Sequence, residues 1–445
     1  MVRQRKGHPR AMWRVVATVI GTVLYMMPVI ASSQTWLSGR ENREGTGVKL
    51  GDSLVLHPGI AAEGGYDTNP LRQDSDPDGA GRLRLSSYVD IATRSKDRRV
   101  EDENVSDATP PKVDFRFGLA GFYDFFFSDA KAVDEQDDFG IDSHINFVLF
   151  PQGNYSLLTS MIYARTLTPY ESAEERHARH DVNPRLGFRI RPGGGTLTFA
   201  LRYGADFLLF EDDTWASANN KVTHDIRLDT AWKLLPKTAL VSLVRFSPIR
   251  YIGSSPMNVD SNPVRGQVGI RGLFTDRFGL TAMVGYGASF YAHGDDFDGV
   301  IANGEVMFFP TPFSNIRLGG QRDFVDSLYA NFYVKSGGYL KYEQMFGQVF
   351  LASLSGDVYH RDYSTMTIYP ITSTDDGARQ DDREDVWLGI NLLLEFRATN
   401  WLSIMASLNF DANVSEFEYN IPQNNENDPV EFKKLEVMGG VRFHY

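Results

Sequence analysis

Residues 113–125 alternate between apolar and charged side chains with a period of two. Val113 and Phe115 occupy one set of positions, while Asp114 and Arg116 lie between them. Successive side chains of a β-strand point to opposite faces, so this strand presents one apolar face and one charged face. A packed protein core would not tolerate ionised groups on the second face. The segment therefore predicts a strand with lipid on one side and water on the other.

The same alternation recurs along most of the chain, and helical spacing does not fit it. No stretch after residue 33 offers the roughly 18 consecutive apolar residues of a membrane-spanning helix. Alternating segments from Ser53 to Tyr445 number about eighteen, and single-chain bacterial barrels have an even number of strands. We predict an all-β fold, an antiparallel transmembrane β-barrel of outer-membrane type, in residues 53–445.

Short and long connections also alternate along the chain, as expected for short periplasmic turns and longer outer loops. The segment 94–112 departs from this pattern, because it falls on the short-turn side but is long, charged and rich in proline. The tight turns are predicted at residues 151–154, 191–195, 235–237, 275–277, 310–312 and 397–400, and the long loops at residues 165–179, 211–221, 247–262, 360–384 and 413–429.

Residues 1–33 have the features of a secretory signal peptide. Five basic residues precede an apolar run at residues 15–31, and small residues follow at Ala31, Ser32 and Ser33. Cleavage is expected before Gln34, which leaves residues 34–52 as a short periplasmic segment. Loss of the five basic residues would change the net charge from −12 to −17. Such an acidic protein is not expected to bind nucleic acid.

The charged positions of the alternating strands are the candidate lining of a barrel lumen. They carry both signs of charge, which permits two interpretations. One is a hydrated channel whose transverse field guides polar solutes, and the other is a plugged barrel braced by interstrand ion pairs. A barrel of about eighteen strands is wide enough for an aqueous lumen, which favours the channel. The candidates are Arg84, Asp90, Asp114, Arg116, Arg185, Arg189, Arg202, Asp206, Asp225, Arg227, Asp229, Arg265, Arg271, Glu305, Arg317, Glu395, Arg397 and Arg442.

Few aromatic residues fall on the inward positions, so we expect no greasy passage for lipids. The sequence contains no cysteine and no hydrolase, zinc-protease or dinucleotide-binding motif. The segment Asp74–Gly79 resembles a calcium loop, but Leu85 stands where an EF-hand requires glutamate. His177 and His180 form a weak metal motif. We therefore predict neither an enzyme nor a bound cofactor or metal.

The last residues alternate into a terminal aromatic residue and resemble the signal that barrel proteins present to the barrel assembly machinery. Gly440, Phe443 and Tyr445 carry this signal. The start of the predicted barrel, residues 57–70 with Tyr66 and Asp67, resembles the opening of the type-2 β-barrel porin family. Some relatives of that family are associated with surface polysaccharide export, so the resemblance implies periplasmic export components as partners.

These observations predict an outer-membrane channel for hydrophilic cargo, with exopolysaccharide export as the specific role that the resemblance implies. The alternative is a non-conducting scaffold of a secretion or motility complex, and a barrel-rim hydrolase is a third class. Outer-membrane lipid and glycolipid are the expected surroundings, because acidic long loops can bind divalent cations that bridge to anionic glycolipid. Localisation in the cell outer membrane follows from the signal peptide and the barrel.

We expect the mature protein to begin near Gln34. Mass spectrometry of protein extracted from membranes should find an N-terminal peptide starting at or close to that residue. Mature membrane protein that retains Met1 would contradict the export argument.

Overall fold

The computed structural model describes residues 47–51, 53–93, 112–167, 177–253, 259–327, 330–347, 349–364, 366–367, 379–380, 383–421 and 426–445. Eighteen long strands form the wall of a barrel, and the ninth is interrupted in its middle. In chain order they are β1 (Leu54–Asp67), β2 (Ala80–Thr93), β3 (Val113–Phe127), β4 (Asp138–Leu149), β5 (Tyr155–Thr166), β6 (Arg179–Ile190), β7 (Leu197–Phe210), β8 (Lys221–Leu235), β9 (Thr238–Phe246 and Ile249–Tyr251), β10 (Ser261–Thr275), β11 (Phe278–Tyr291), β12 (Phe297–Phe308), β13 (Ser314–Asp326), β14 (Phe332–Phe346), β15 (Phe350–Tyr363), β16 (Glu384–Arg397), β17 (Leu402–Ser415) and β18 (Phe432–His444).

Each strand pairs antiparallel with the next strand in sequence, and the first strand pairs with the last. In the closing pair, Gly59 lies opposite His444 and Asp67 lies opposite Glu436. The predicted all-β, eighteen-stranded antiparallel barrel is confirmed. Closure removes the free sheet edges, whose unpaired backbone groups could not be placed in hydrocarbon.

The two ends of the barrel differ in the length of their connections. The end that carries the first residue of β1 and the last of β18 has mostly short turns and is called the turn end. The other end, called the loop end, carries two short helices, α1 (Lys131–Asp134) and α2 (Asp213–Asn219). The loop expected at residues 360–384 is shorter, because β15 continues to Tyr363. The predicted long connection of residues 94–112 and the signal peptide lie outside the described residues, except for Lys112.

The outer surface of the wall is apolar. Leu392 of β16 lies between Leu354 of β15 and Leu408 of β17, all on the outer face. Large apolar side chains such as Ile60, Leu201 and Val300 are more than half exposed on this surface. Such a belt is energetically favourable only in contact with lipid. Among the described residues, no helix is both long and apolar enough to cross a bilayer.

Pairing between neighbouring strands is incomplete at one position. β12 and β13 are paired only from Ala302 opposite Arg322 to Phe308 opposite Ile316. Beyond Arg322, β13 continues to Asp326 in register with β14 alone. The loop ends of β12 and β13 therefore separate, whereas β14 stays paired with β15 as far as Tyr333 opposite Tyr363, so the β13–β14 hairpin leaves β12 but not β15.

An arginine on the outer face should destabilise the barrel far more than one on the inner face. Leu392→Arg places a charge in hydrocarbon and is expected to cost about 2–4 kcal/mol if the residue lies near the bilayer midplane. The matched variant Asn391→Arg places the same side chain toward the lumen, where Asn391 lies opposite Asn409. Reversible urea unfolding in lipid vesicles measures both. Equal losses in the two variants would show that this face assignment is wrong.

Candidate functional site

The inner face of the barrel is the candidate site, and it holds all of the charged positions predicted from the sequence. Alternation places them opposite the exposed apolar positions of the same strands, and strand register brings many of them together. The residues on this face are Arg84, Asp90, Asp114, Arg116, Arg185, Arg189, Arg202, Asp206, Asp225, Arg227, Asp229, Arg265, Arg271, Glu305, Arg317, Glu395, Arg397 and Arg442.

Four arginines stand side by side across β7 to β10. Arg202 lies opposite Arg227, Arg227 opposite Arg245, and Arg245 opposite Arg265. We call these four residues the arginine row. Like charges in directly opposite positions destabilise a sheet, so the row requires compensating negative charge. Arg245 was absent from the predicted set, although its position opposite Arg227 gives it the same inward direction.

Carboxylates on neighbouring positions compensate part of the row. Arg227 lies 2.7 Å from Asp229, and Arg202 reaches the same Asp229 at 3.6 Å. Arg245 lies 2.6 Å from Asp225. One carboxylate thus serves two guanidinium groups at the β7–β8 part of the row. The side chains of Arg202, Arg227 and Arg245 remain 44%, 34% and 29% exposed, so they can meet a solute in the lumen.

A recess of about 250 Å³ adjoins this part of the row. Its polar lining includes Asn146, Ser160, Arg185, Arg202, Arg227 and the carboxylate of Asp225. Arg185 lies 3.2 Å from Asp206, at the β6–β7 side of the recess. Three guanidinium groups thus share the recess with one carboxylate and with neutral hydrogen-bonding groups, and this excess of positive charge suits an anionic, hydroxyl-bearing solute.

Cationic side chains continue toward the turn end. Arg271 of β10 is exposed on the inner face, and Arg317 of β13 lies on the same side of the wall. Within the part of the chain that the structure describes, neither residue has a carboxylate within salt-bridge distance. Arg189 donates to the carbonyl oxygen of Pro151 and to Ser156. The inner face between β6 and β13 is therefore cationic over much of its height.

The opposite side of the lumen is braced by ion pairs. Arg84 binds Asp124 at 2.7 Å and 2.8 Å, and Arg82 binds the same carboxylate at 2.6 Å. Arg82 also binds Glu436 of β18. Lys434 lies 2.7 Å from Asp67. This network, which we call the closure network, connects β18 with β1, β2 and β3 across the joint where the barrel closes.

Other candidate residues also form ion pairs. Arg116 lies 3.0 Å from Asp90, and Arg442 binds Glu395, with Arg397 at 3.9 Å from the same Glu395. These groups are largely buried beside the wall. On this side of the barrel the second interpretation of the charges, interstrand bracing, describes the observed contacts better than free lining does.

The expectation of few inward aromatic side chains is wrong at the loop end. Phe297 and Phe324 stack with ring centroids 4.2 Å apart inside the barrel. Farther along the wall, the Arg361 guanidinium lies 4.4 Å from the ring centroid of Trp387, a residue on an inward position of β16. Aromatic side chains therefore narrow the lumen at the loop end, and the charges dominate nearer the middle.

The two histidines of the weak metal motif contact neighbouring side chains. His177 packs against Trp215 in a tilted arrangement, with ring centroids 3.9 Å apart. His180 lies 3.1 Å from Glu211, whose carboxylate also accepts from Arg165 at 2.6 Å. The hydrogen bond from Arg165 lowers the pKa of Glu211 below its usual value. Among the described residues, no three or more histidine and acidic side chains group closely enough to hold a metal ion.

The predicted assembly residues lie on the closing strand. Phe443 is on the outer face and stacks on Trp401, with ring centroids 5.9 Å apart. A side chain at Gly440 would clash with the backbone of Ala62 and with Glu63 on the first strand. Glycine at this position therefore permits the close approach of β1 and β18. Their recognition by assembly machinery remains a prediction.

No protein-family model matches this chain, and no curated protein matches it. Solved structures of other barrels are similar in fold. The FrpB iron transporter from Neisseria meningitidis is 9% identical with a TM-score of 0.45, covering 87% of this chain and 81% of its own. The outer membrane protein opdK from Pseudomonas aeruginosa is 9% identical with a TM-score of 0.43, covering 88% and 99%. A bacterial polysaccharide outer membrane secretin is 9% identical with a TM-score of 0.35, covering 88% and 98%.

Removal of Asp124 should weaken barrel closure. Asp124→Asn leaves Arg82 and Arg84 without their shared carboxylate in a buried position, and loss of one partner in such a site costs about 3–5 kcal/mol. The matched control is Asp276→Asn, which breaks the exposed 2.5 Å pair with Lys237 at the turn end. The temperature at which gel mobility shifts on heating and the midpoint of urea unfolding should both fall for Asp124→Asn and stay unchanged for the control. An unchanged midpoint in that variant would contradict a stabilising closure network.

Proposed function

We propose that this protein is a passive outer-membrane conduit for anionic hydrophilic solutes. The observation that carries the proposal is the arginine row, four guanidinium groups on adjacent strands of the inner face of a barrel. The apolar outer belt and the secretory features of residues 1–33 support placement in the outer membrane.

The row supplies a cationic surface that is incompletely neutralised. Asp229 is shared between Arg227 and Arg202. A carboxylate or phosphate of a solute can therefore bind Arg202 while Asp229 stays bound to Arg227, and no guanidinium is left unpaired. Charges of one sign along a water-filled passage raise the local concentration of oppositely charged solutes and increase their entry rate. Arg271 and Arg317 extend this surface toward the turn end.

Exopolysaccharide export is the more specific form of this proposal, and it requires an anionic polymer as cargo. The resemblance of residues 57–70 to the type-2 β-barrel porin family supports it. A deletion strain should then lose surface polysaccharide while synthesis of the cytoplasmic precursor continues. An intact surface coat in that strain would remove this cargo and leave smaller anions as the solutes.

A scaffold function is the second candidate, and the narrowed loop end favours it. Phe324 is only 1% exposed although it lies inside the barrel, because it packs against the inner face of the wall and narrows the lumen at that height. A narrowed lumen and the closure network are compatible with a barrel that only anchors partners. Ion conductance distinguishes the two functions.

Neutralisation of the row should change ion selectivity and leave folding intact. Purified protein in planar bilayers is expected to pass current with a preference for anions. Arg202→Gln with Arg227→Gln should reduce the anion-to-cation permeability ratio several-fold, measured as the reversal potential in a KCl gradient. The control Arg277→Gln changes an exposed arginine in a turn. A barrel that stays silent in every condition, or unchanged selectivity in the double variant, would refute the proposed conduit.

A further inference from the structure

The loop end of the β13–β14 hairpin lies inside the barrel wall. Arg265 of β10 places its Nε 3.0 Å from Asp323, and another of its nitrogens donates to the carbonyl oxygen of Phe324 at 2.6 Å. Three strand spacings separate β10 from β13 in the wall, which is about 14 Å. An arginine side chain cannot reach the backbone of β13 across that distance. The hairpin beyond Arg322 therefore lies inside the wall, and we call its described residues, 323–327 and 330–334, the tucked hairpin.

The tip of the tucked hairpin reaches still farther across the lumen. Asp326 lies 2.5 Å from Lys221 of β8 and accepts from the Tyr251 hydroxyl at 3.3 Å. Five spacings separate β8 from β13, or about 24 Å along the wall. The pairs Asp323–Arg265 and Asp326–Lys221 thus attach the hairpin to the inner face of β10 and β8.

The outer face of the tucked hairpin packs on the inner face of its neighbours. Phe324 lies opposite Val334, both at positions that alternation from Arg322 would direct outward. Yet Phe324, Phe332 and Val334 pack with Phe297 and Ile301 in one buried cluster. Since Phe297 and Ile301 point inward from β12, the hairpin overlaps β12 from inside.

The hairpin could also lie within the wall, with β13 paired to β12 along its full length. Continuing the β12–β13 register beyond Ala302 and Arg322 would place Gly299 opposite Val325 and Val300 opposite Phe324. Val300 is 56% exposed on the lipid-facing surface. Phe324 would then contact lipid beside it. The apolar face is thus removed from water in both positions, against β12 in one and against lipid in the other.

We propose that the tucked hairpin is a two-position gate of the conduit, held closed by its own carboxylates. In the closed position Asp323 and Asp326 occupy Arg265 and Lys221. In the open position β12 and β13 pair along their full length and the loop end widens. Because Arg265 ends the arginine row, an anionic solute competes with Asp323 and favours opening. The gating role rests on the proposed conduit function, whereas the two positions do not.

Engineered cysteines can detect the open position, because the natural chain contains none. Gly299→Cys with Val325→Cys should form a disulfide only when β12 and β13 are fully paired, since directly opposite residues come within disulfide range. Ala302→Cys with Arg322→Cys, which are already opposite, is the positive control. We expect slow cross-linking of the first pair in membranes under oxidising conditions. Citrate, an anionic solute that would compete with Asp323, should accelerate the cross-linking several-fold. Rapid formation of the control disulfide without any 299–325 disulfide would overturn the gate.

Conductance measurements test whether the Asp326–Lys221 pair holds the hairpin in the closed position. Asp326→Asn and Lys221→Met each break the pair at the hairpin tip and should raise the open fraction several-fold. Lys237→Met, which breaks an exposed pair of the same length at the turn end, should leave it unchanged. Equal open fractions in all three variants would contradict the claim that this ion pair holds the gate closed. Cross-linking at 299–325 in a barrel that passes no current would support the two positions and reject only the conduit.

Discussion

Every backbone donor and acceptor of a chain in hydrocarbon must find a partner within the protein, and the rest of this structure depends on that requirement. Pairing of β1 with β18 completes the circumference, which is interrupted only where the loop ends of β12 and β13 separate among the described strands. Once the wall is closed, each strand must present an apolar face to lipid, so its polar residues are forced inward. The charged interior is therefore a consequence of closure, and its arrangement determines what the lumen can do.

The interior divides into two kinds of charge. Around the closing joint, Arg82, Arg84 and Asp124 form short contacts in buried positions, as expected of a brace. Across β7 to β10, the arginine row is more exposed and shares too few carboxylates for complete neutralisation. The same residue type thus serves stability on one side of the lumen and is available to solutes on the other.

Alternation in the sequence was enough to predict the barrel and its strand number, because a period of two follows directly from strand geometry. The same period assigned the candidate residues to the face opposite the apolar positions. The alternation around Arg322 also predicts Phe324 as lipid-facing, yet it is buried inside. Strand periodicity assigns side chains to faces but does not say which strands remain neighbours along their whole length. Partners such as Lys221 and Asp326, far apart in sequence and in the wall, could be identified only from the structure.

The contact between Arg82 and Glu436 makes the charge pairing of the first strands depend on the closing strand. It connects β2, near the beginning of the barrel, with β18, the strand that closes it, and it passes over β1 between them. A chain truncated before Glu436 would keep Arg82 and Asp124 but lack the residue that completes their network. Full ionic satisfaction of the first strands therefore requires a chain that extends through the closing strand, so the joint distinguishes chains that contain this strand from chains that lack it.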